Sequence, residues 1–98
     1  MKFNYLWFAI PKTGKQVRVT IAYANNQYAF AVQSPNDMFV KYLGRELAIR
    51  KYNTGKVYYT QESTWKRIKE SFLQLLISDK CLHNDIPDFL KAAFLLTR

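Results

Sequence analysis

The chain has 98 residues, 49% of them hydrophobic and 16% aromatic, with only three glycines and three prolines. That is enough apolar material for one domain spanning 1–98 with its own core, and too little Gly and Pro for linkers or low-complexity tracts. Fifteen Lys and Arg against seven Asp and Glu give a net charge of +8; residues 1–61 hold nine of the bases and two of the acids, and residues 62–98 the remaining six and five. A charge excess confined to one part of a small chain favours a polyanion-facing surface over general solubility.

The first segment, residues 3–10, is apolar on both faces and rich in aromatics, which predicts a buried strand. It is too short for a secretory leader, and Pro11-Lys12 cuts it off. No apolar run in the chain approaches the roughly 20 residues of a membrane span. With a single cysteine, Cys81, that rules out an internal disulfide and fits a reducing compartment, the expectation is a cytoplasmic protein with no membrane partner.

Pro11 to Gln16 forms a turn with Lys12 and Lys15 at its tip. Its Gly14-Lys15 pair lacks the earlier glycine and the following Ser or Thr of a phosphate-binding P-loop, so the segment reads as a basic hairpin tip able to touch a polyanion. Val17, Val19, Ile21 and Tyr23 then alternate with Arg18, Thr20 and Ala22, and a second alternating run carries Tyr28, Phe30 and Val32. Asn25-Asn26 between them suits a two-residue hairpin loop with positive φ at both positions. That register pairs Tyr23 with Tyr28, Ile21 with Phe30 and Val19 with Val32, leaving Thr20, Ala22, Ala29 and Ala31 on the other face.

Ser34-Pro35-Asn36-Asp37 has the chemistry of a helix start. The helix is expected to reach Tyr52, stop at Asn53-Thr54-Gly55, and pack through Phe39, Val40, Leu43 and Leu47. Lys56–Thr60 predicts a fourth strand, Glu62–Ser78 a second helix with Trp65, Ile68, Phe72, Leu75 and Leu76 inward, and Asp85–Leu96 a short third helix. The fold class is α+β: an antiparallel sheet of about four strands in the order β-β-β-α-β-α-α, with the helices on one face.

Residues 41–59 concentrate the chemistry. Lys41, Arg45, Arg50, Lys51 and Lys56 stand against one acid, Glu46, with Tyr42, Tyr52, Tyr58 and Tyr59 interleaved. Fixed cations meet phosphates and aromatic rings stack on unpaired bases, so the five cations are the candidate phosphate contacts and Tyr42 and Tyr52 the candidate stacking residues. The competing reading is a solvated helix face with half-buried tyrosines.

No catalytic constellation accompanies it. Cys81 and His83 are the sole residues of their types, too few for a closed zinc site, and they lie two apart in a loop with no orienting third group. The connection from Asp79 to Asp85 is too long for a helix-turn-helix, and the helix after it carries Lys91 as its one base. The expectation is a non-enzymatic protein with no metal or cofactor.

The stretch Ser34-Pro35-Asn36-Asp37-Met38-Phe39, continuing through Lys41 to Gly44-Arg45-Glu46-Leu47-Ala48, resembles a group of small bacteriophage-encoded proteins that share a Ser-Pro, Asp-x-Phe, Gly-Arg-x-Leu-Ala pattern. The match covers about one sixth of the chain, and Val40, Tyr42 and Leu43 stand where basic residues are usual. The resemblance implies a phage accessory protein in the host bacterial cytoplasm. Such a protein would bind nucleic acid or a nucleoprotein complex or, as the alternative, inhibit a host defence effector in the manner of an anti-CRISPR protein. Glycine costs about 1 kcal/mol relative to alanine inside a helix, so Gly44 points to another element or a ligand backbone coming close.

Overall fold

A computed structural model describes residues 1–10, 14–33, 41–78, 86–87, 90 and 94. Four strands, β1 (Lys2–Ala9), β2 (Gln16–Ala24), β3 (Gln27–Gln33) and β4 (Tyr58–Tyr59), form one antiparallel sheet in the order β1-β2-β3-β4. Helix α1 (Lys41–Asn53) lies between β3 and β4 in the chain, and α2 (Trp65–Ser78) follows β4.

The β2–β3 hairpin has the predicted register, with Tyr23 opposite Tyr28, Ile21 opposite Phe30 and Val19 opposite Val32. Its loop residues Asn25 and Asn26 take φ of 50° and 61°, the mirror-image turn that matches the strands' twist. Ser63, just before α2, donates to Asn26 Oδ1 at 3.1 Å and accepts from the Asn26 backbone N–H, which ties the turn to the start of the second helix.

The expected termination of α1 is also present. Gly55 sits at φ 83°, the Lys56 N–H donates to Lys51 O at 3.0 Å, and the Gly55 N–H donates to Tyr52 O at 3.3 Å. A left-handed glycine thus satisfies two of the carbonyls a helix end leaves open. The Ser34–Asp37 helix start, with Phe39 and Val40, falls outside the described residues.

The helices do not share one face. Val17, Val19, Ile21, Tyr23, Tyr28 and Phe30 pack with Tyr58 and with Ile68, Phe72 and Leu76 of α2. Leu90 and Phe94, helical and buried, join this cluster; the rest of the expected third helix lies outside the description apart from half-buried Ile86 and Pro87. The other face presents Thr20, Ala22 and Ala31, and α1 packs there through Gly44 and Ala48. The sheet is sandwiched between the helices because period-two alternation gives it a large-residue face and a small-residue face.

This arrangement corrects the expected packing of α1. Leu43 and Leu47 are 49% and 42% exposed, whereas Gly44 and Ala48 are buried. A helix facing a floor of alanine is held by its smallest side chains, which bring the backbones close, and its leucines are left at the flank.

The first strand is corrected as well. Among the described residues β1 pairs only with β2, so it is an edge strand, and its residues are half-buried or exposed. β4 and α2 are shorter than expected, at Tyr58–Tyr59 and Trp65–Ser78.

Candidate functional site

Alternation along β1 sends Phe3, Tyr5 and Trp7 to the face that carries α1, opposite Ala22, Thr20 and Arg18 of β2. Side chains two apart on one strand face are spaced about 6.8 Å, so the rings form a row along the sheet edge. Gly44 allows α1 to settle beside this row. A methyl added at that position would overlap Thr20 Oγ1 and press on Thr20 Cβ at 3.3 Å.

The close approach sets the position of two cations. Lys41 Nζ lies 5.2 Å from the centroid of the Tyr5 ring, and Arg45 Cζ lies 5.9 Å from that of Phe3. Each cation sits over a ring face, an attraction that steadies the side chain while leaving its polar head in water. Trp7, next in the row, is 52% exposed and has no ring partner among the described residues.

Beside Arg45 a groove of about 300 Å³ is lined by Phe3, Tyr42, Arg45, Glu46 and Ile49. A second hollow of about 420 Å³, sharing Glu46 and Ile49, carries the path on to Arg50, Asn53 and Thr54. Glu46 is the one acid on α1. The Tyr42 hydroxyl donates to its Oε1 at 3.0 Å, and that bond, reinforced by the carboxylate's charge, raises the Tyr42 pKa. Among the described residues Glu46 forms no ion pair with Lys41, Arg45 or Arg50.

The predicted site residues separate accordingly. Lys41, Arg45 and exposed Tyr42 come together at the β1–α1 strip, and Arg50 lines the hollow that extends it. Lys51 is half-buried, with Nζ 5.8 Å from the Phe30 ring centroid, and Lys56 is exposed just past the glycine cap. Lys15 is exposed at the far end of the β1–β2 hairpin, and Lys12 lies outside the described residues.

Tyr52 is not available as a stacking platform. It is half-buried, and its hydroxyl donates to Ala24 O at 3.0 Å, fastening the end of α1 to the sheet. The aromatic row 3, 5, 7 was missed in the sequence because an all-apolar strand reads as buried. Its signal is three of the strand's four rings on one parity, with Asn4 and Leu6 between them and Phe8 on the other face.

Among the described residues no three His, Cys, Asp or Glu side chains are grouped to hold a metal, and Cys81 and His83 lie outside them. Among the same residues, no helix is long and apolar enough to cross a membrane. No protein-family model matches the chain, and no curated protein or solved structure does.

Proposed function

We propose that this chain is a non-enzymatic nucleic-acid-binding protein whose contact surface is the strip formed by β1 and α1. The observation that carries the reading is the pairing of Lys41 with Tyr5 and of Arg45 with Phe3, beside exposed Trp7. Cations held in place over rings lose little freedom on meeting phosphate, and no described carboxylate forms an ion pair with them. The excess of seven positive charges within residues 1–61 supplies the long-range attraction. Together with the resemblance at residues 34–48, this makes a phage accessory protein acting on nucleic acid or a nucleoprotein complex the preferred role.

The test is direct titration of the purified protein with DNA and RNA at several salt concentrations. Binding whose logarithm falls linearly with the logarithm of salt is the expected result. An affinity indifferent to salt, or no affinity at all, refutes the proposal.

A second reading is favoured by one observation: Tyr42, Leu43 and Leu47 stand 60%, 49% and 42% exposed on α1. Apolar side chains beside fixed cations also suit a protein contact, here an acidic patch on a host defence effector. Recovery of one host protein from lysate, in nuclease-treated and untreated samples alike, together with no nucleic-acid affinity, selects this alternative.

A further inference from the structure

We propose that the polyanion is an unpaired nucleic-acid strand, lying along β1 with phosphates at Arg45 and Lys41 and a base stacked on Trp7. This rests on the nucleic-acid reading above and narrows it to a class of ligand. The argument starts from order along the strand. Phe3 is covered by Arg45 and Tyr5 by Lys41, while Trp7, the next ring on the same face, carries no such cation among the described residues. The row therefore runs cation, cation, bare indole.

An indole face is met by a base face, and in a duplex each base face is covered by its neighbour at about 3.4 Å. Opening a step of a duplex works against base stacking, whereas an unpaired strand offers its bases freely and stacks them on aromatic side chains. The spacing agrees: rings two residues apart on a strand lie about 6.8 Å from one another, twice the separation of stacked bases, so a strand following the row must have its bases parted. Among the described residues β1 is also the edge of the sheet, so no described strand stands between the row and a chain lying along it.

The chain has two tryptophans, and Trp65 packs on Tyr23 with ring centroids 6.0 Å apart. Trp65→Phe therefore keeps a ring in the core and leaves Trp7 as the only indole. In that background the fluorescence of Trp7 is followed while the protein is titrated with oligo-dT, oligo-U, a duplex of matching length, and inorganic polyphosphate. The oligonucleotides are expected to bind and quench Trp7, polyphosphate to bind without quenching, and the duplex to bind more weakly than either single strand. Trp7→Ala, folded by circular dichroism, is expected to lose at least about five-fold in single-strand affinity, the lower bound for a lost base stack, and to keep its affinity for polyphosphate.

Duplex binding as tight as single-strand binding, or an unchanged single-strand affinity in Trp7→Ala, overturns the inference and leaves the polyanion reading standing. Failure of the parent to bind any of the four probes overturns both. Should Trp65→Phe not fold, the same titrations on the parent and on Trp7→Phe isolate the Trp7 signal by difference.

Discussion

Gly44 and Thr20 meet where α1 crosses the sheet: the space a side chain would fill at Gly44 is occupied by the Thr20 hydroxyl. Thr20 is fully buried, and its Oγ1 has no hydrogen-bond partner among the described residues. The close approach of helix and strand thus accepts two costs, a glycine inside a helix and a buried hydroxyl that no described residue pairs. Gly44→Ala regains about 1 kcal/mol of helix propensity but forces a methyl onto Thr20, an overpacking worth about 1–3 kcal/mol. The expected result is a net loss of about 1 kcal/mol in urea unfolding, with a larger loss for Gly44→Val. Thr20→Ala made together with Gly44→Ala should recover much of it, and additive losses in the double-mutant cycle would refute the contact.

Tyr52 was a candidate for stacking and is instead an anchor, donating to Ala24 O. Tyr52→Phe removes that bond and leaves a half-buried carbonyl short of a partner, so stability should fall by about 1 kcal/mol. Nucleic-acid affinity, measured beside the thermal melt, should stay the same. A Tyr52→Phe protein as stable as the parent but weaker in binding would return this residue to the interface.

What the sequence made legible was whatever depends on neighbours in the chain. The hairpin register follows from alternation plus Asn25-Asn26, and the end of α1 follows from Gly55; both are present residue for residue. Harder to see was which face of the sheet each helix would take. Apolar periodicity picks out large side chains, and α1 packs through Gly44 and Ala48, which carry almost no hydrophobic signal. The edge position of β1 was hidden for a related reason. A fourth strand that arrives after a helix has either side of a three-stranded meander open to it, and local sequence does not say that Tyr58 and Tyr59 join Gln27 and Tyr28. Lys41 and Arg45 were found from charge alone, but the rings beneath them depended on that topology.

Tyr28 gives the fold a measurable alkaline limit. Its ring is buried against Tyr58, its hydroxyl shares a 2.8 Å hydrogen bond with Ser71, and burial pushes its pKa up to about 12 from 10.0 although the bond to Ser71 pulls it down. The folded state therefore holds this proton more tightly than the unfolded chain does. Stability from this source is complete below pH 10 and is lost as pH rises toward 12, by an amount on the order of 2 kcal/mol. Tyr28→Phe, less stable at pH 7 for want of the Ser71 bond, should show a shallower decline through that window. Parallel stability curves for parent and variant above pH 10 would count against the assignment.

Lys41 and Arg45 separate function from folding most cleanly. Both are exposed, and among the described residues each has one ring beneath it, Tyr5 under Lys41 and Phe3 under Arg45. An exposed cation over a ring is worth about 0.5–1 kcal/mol, so reversing both charges should lower stability by no more than about 2 kcal/mol and leave the protein folded. If the strip meets phosphate, each lost contact removes roughly one unit from the slope of log affinity against log salt. Lys41→Glu with Arg45→Glu should therefore weaken binding severely at low salt and flatten the salt response by about two units of slope. Lys66→Glu with Lys69→Glu, on exposed positions of α2 across the sheet, changes net charge equally and is the matched control. Equal loss of binding in the two double mutants would mean that overall charge, and not this strip, attracts the ligand. Full affinity in a folded Lys41→Glu/Arg45→Glu protein would remove α1 from the binding surface altogether.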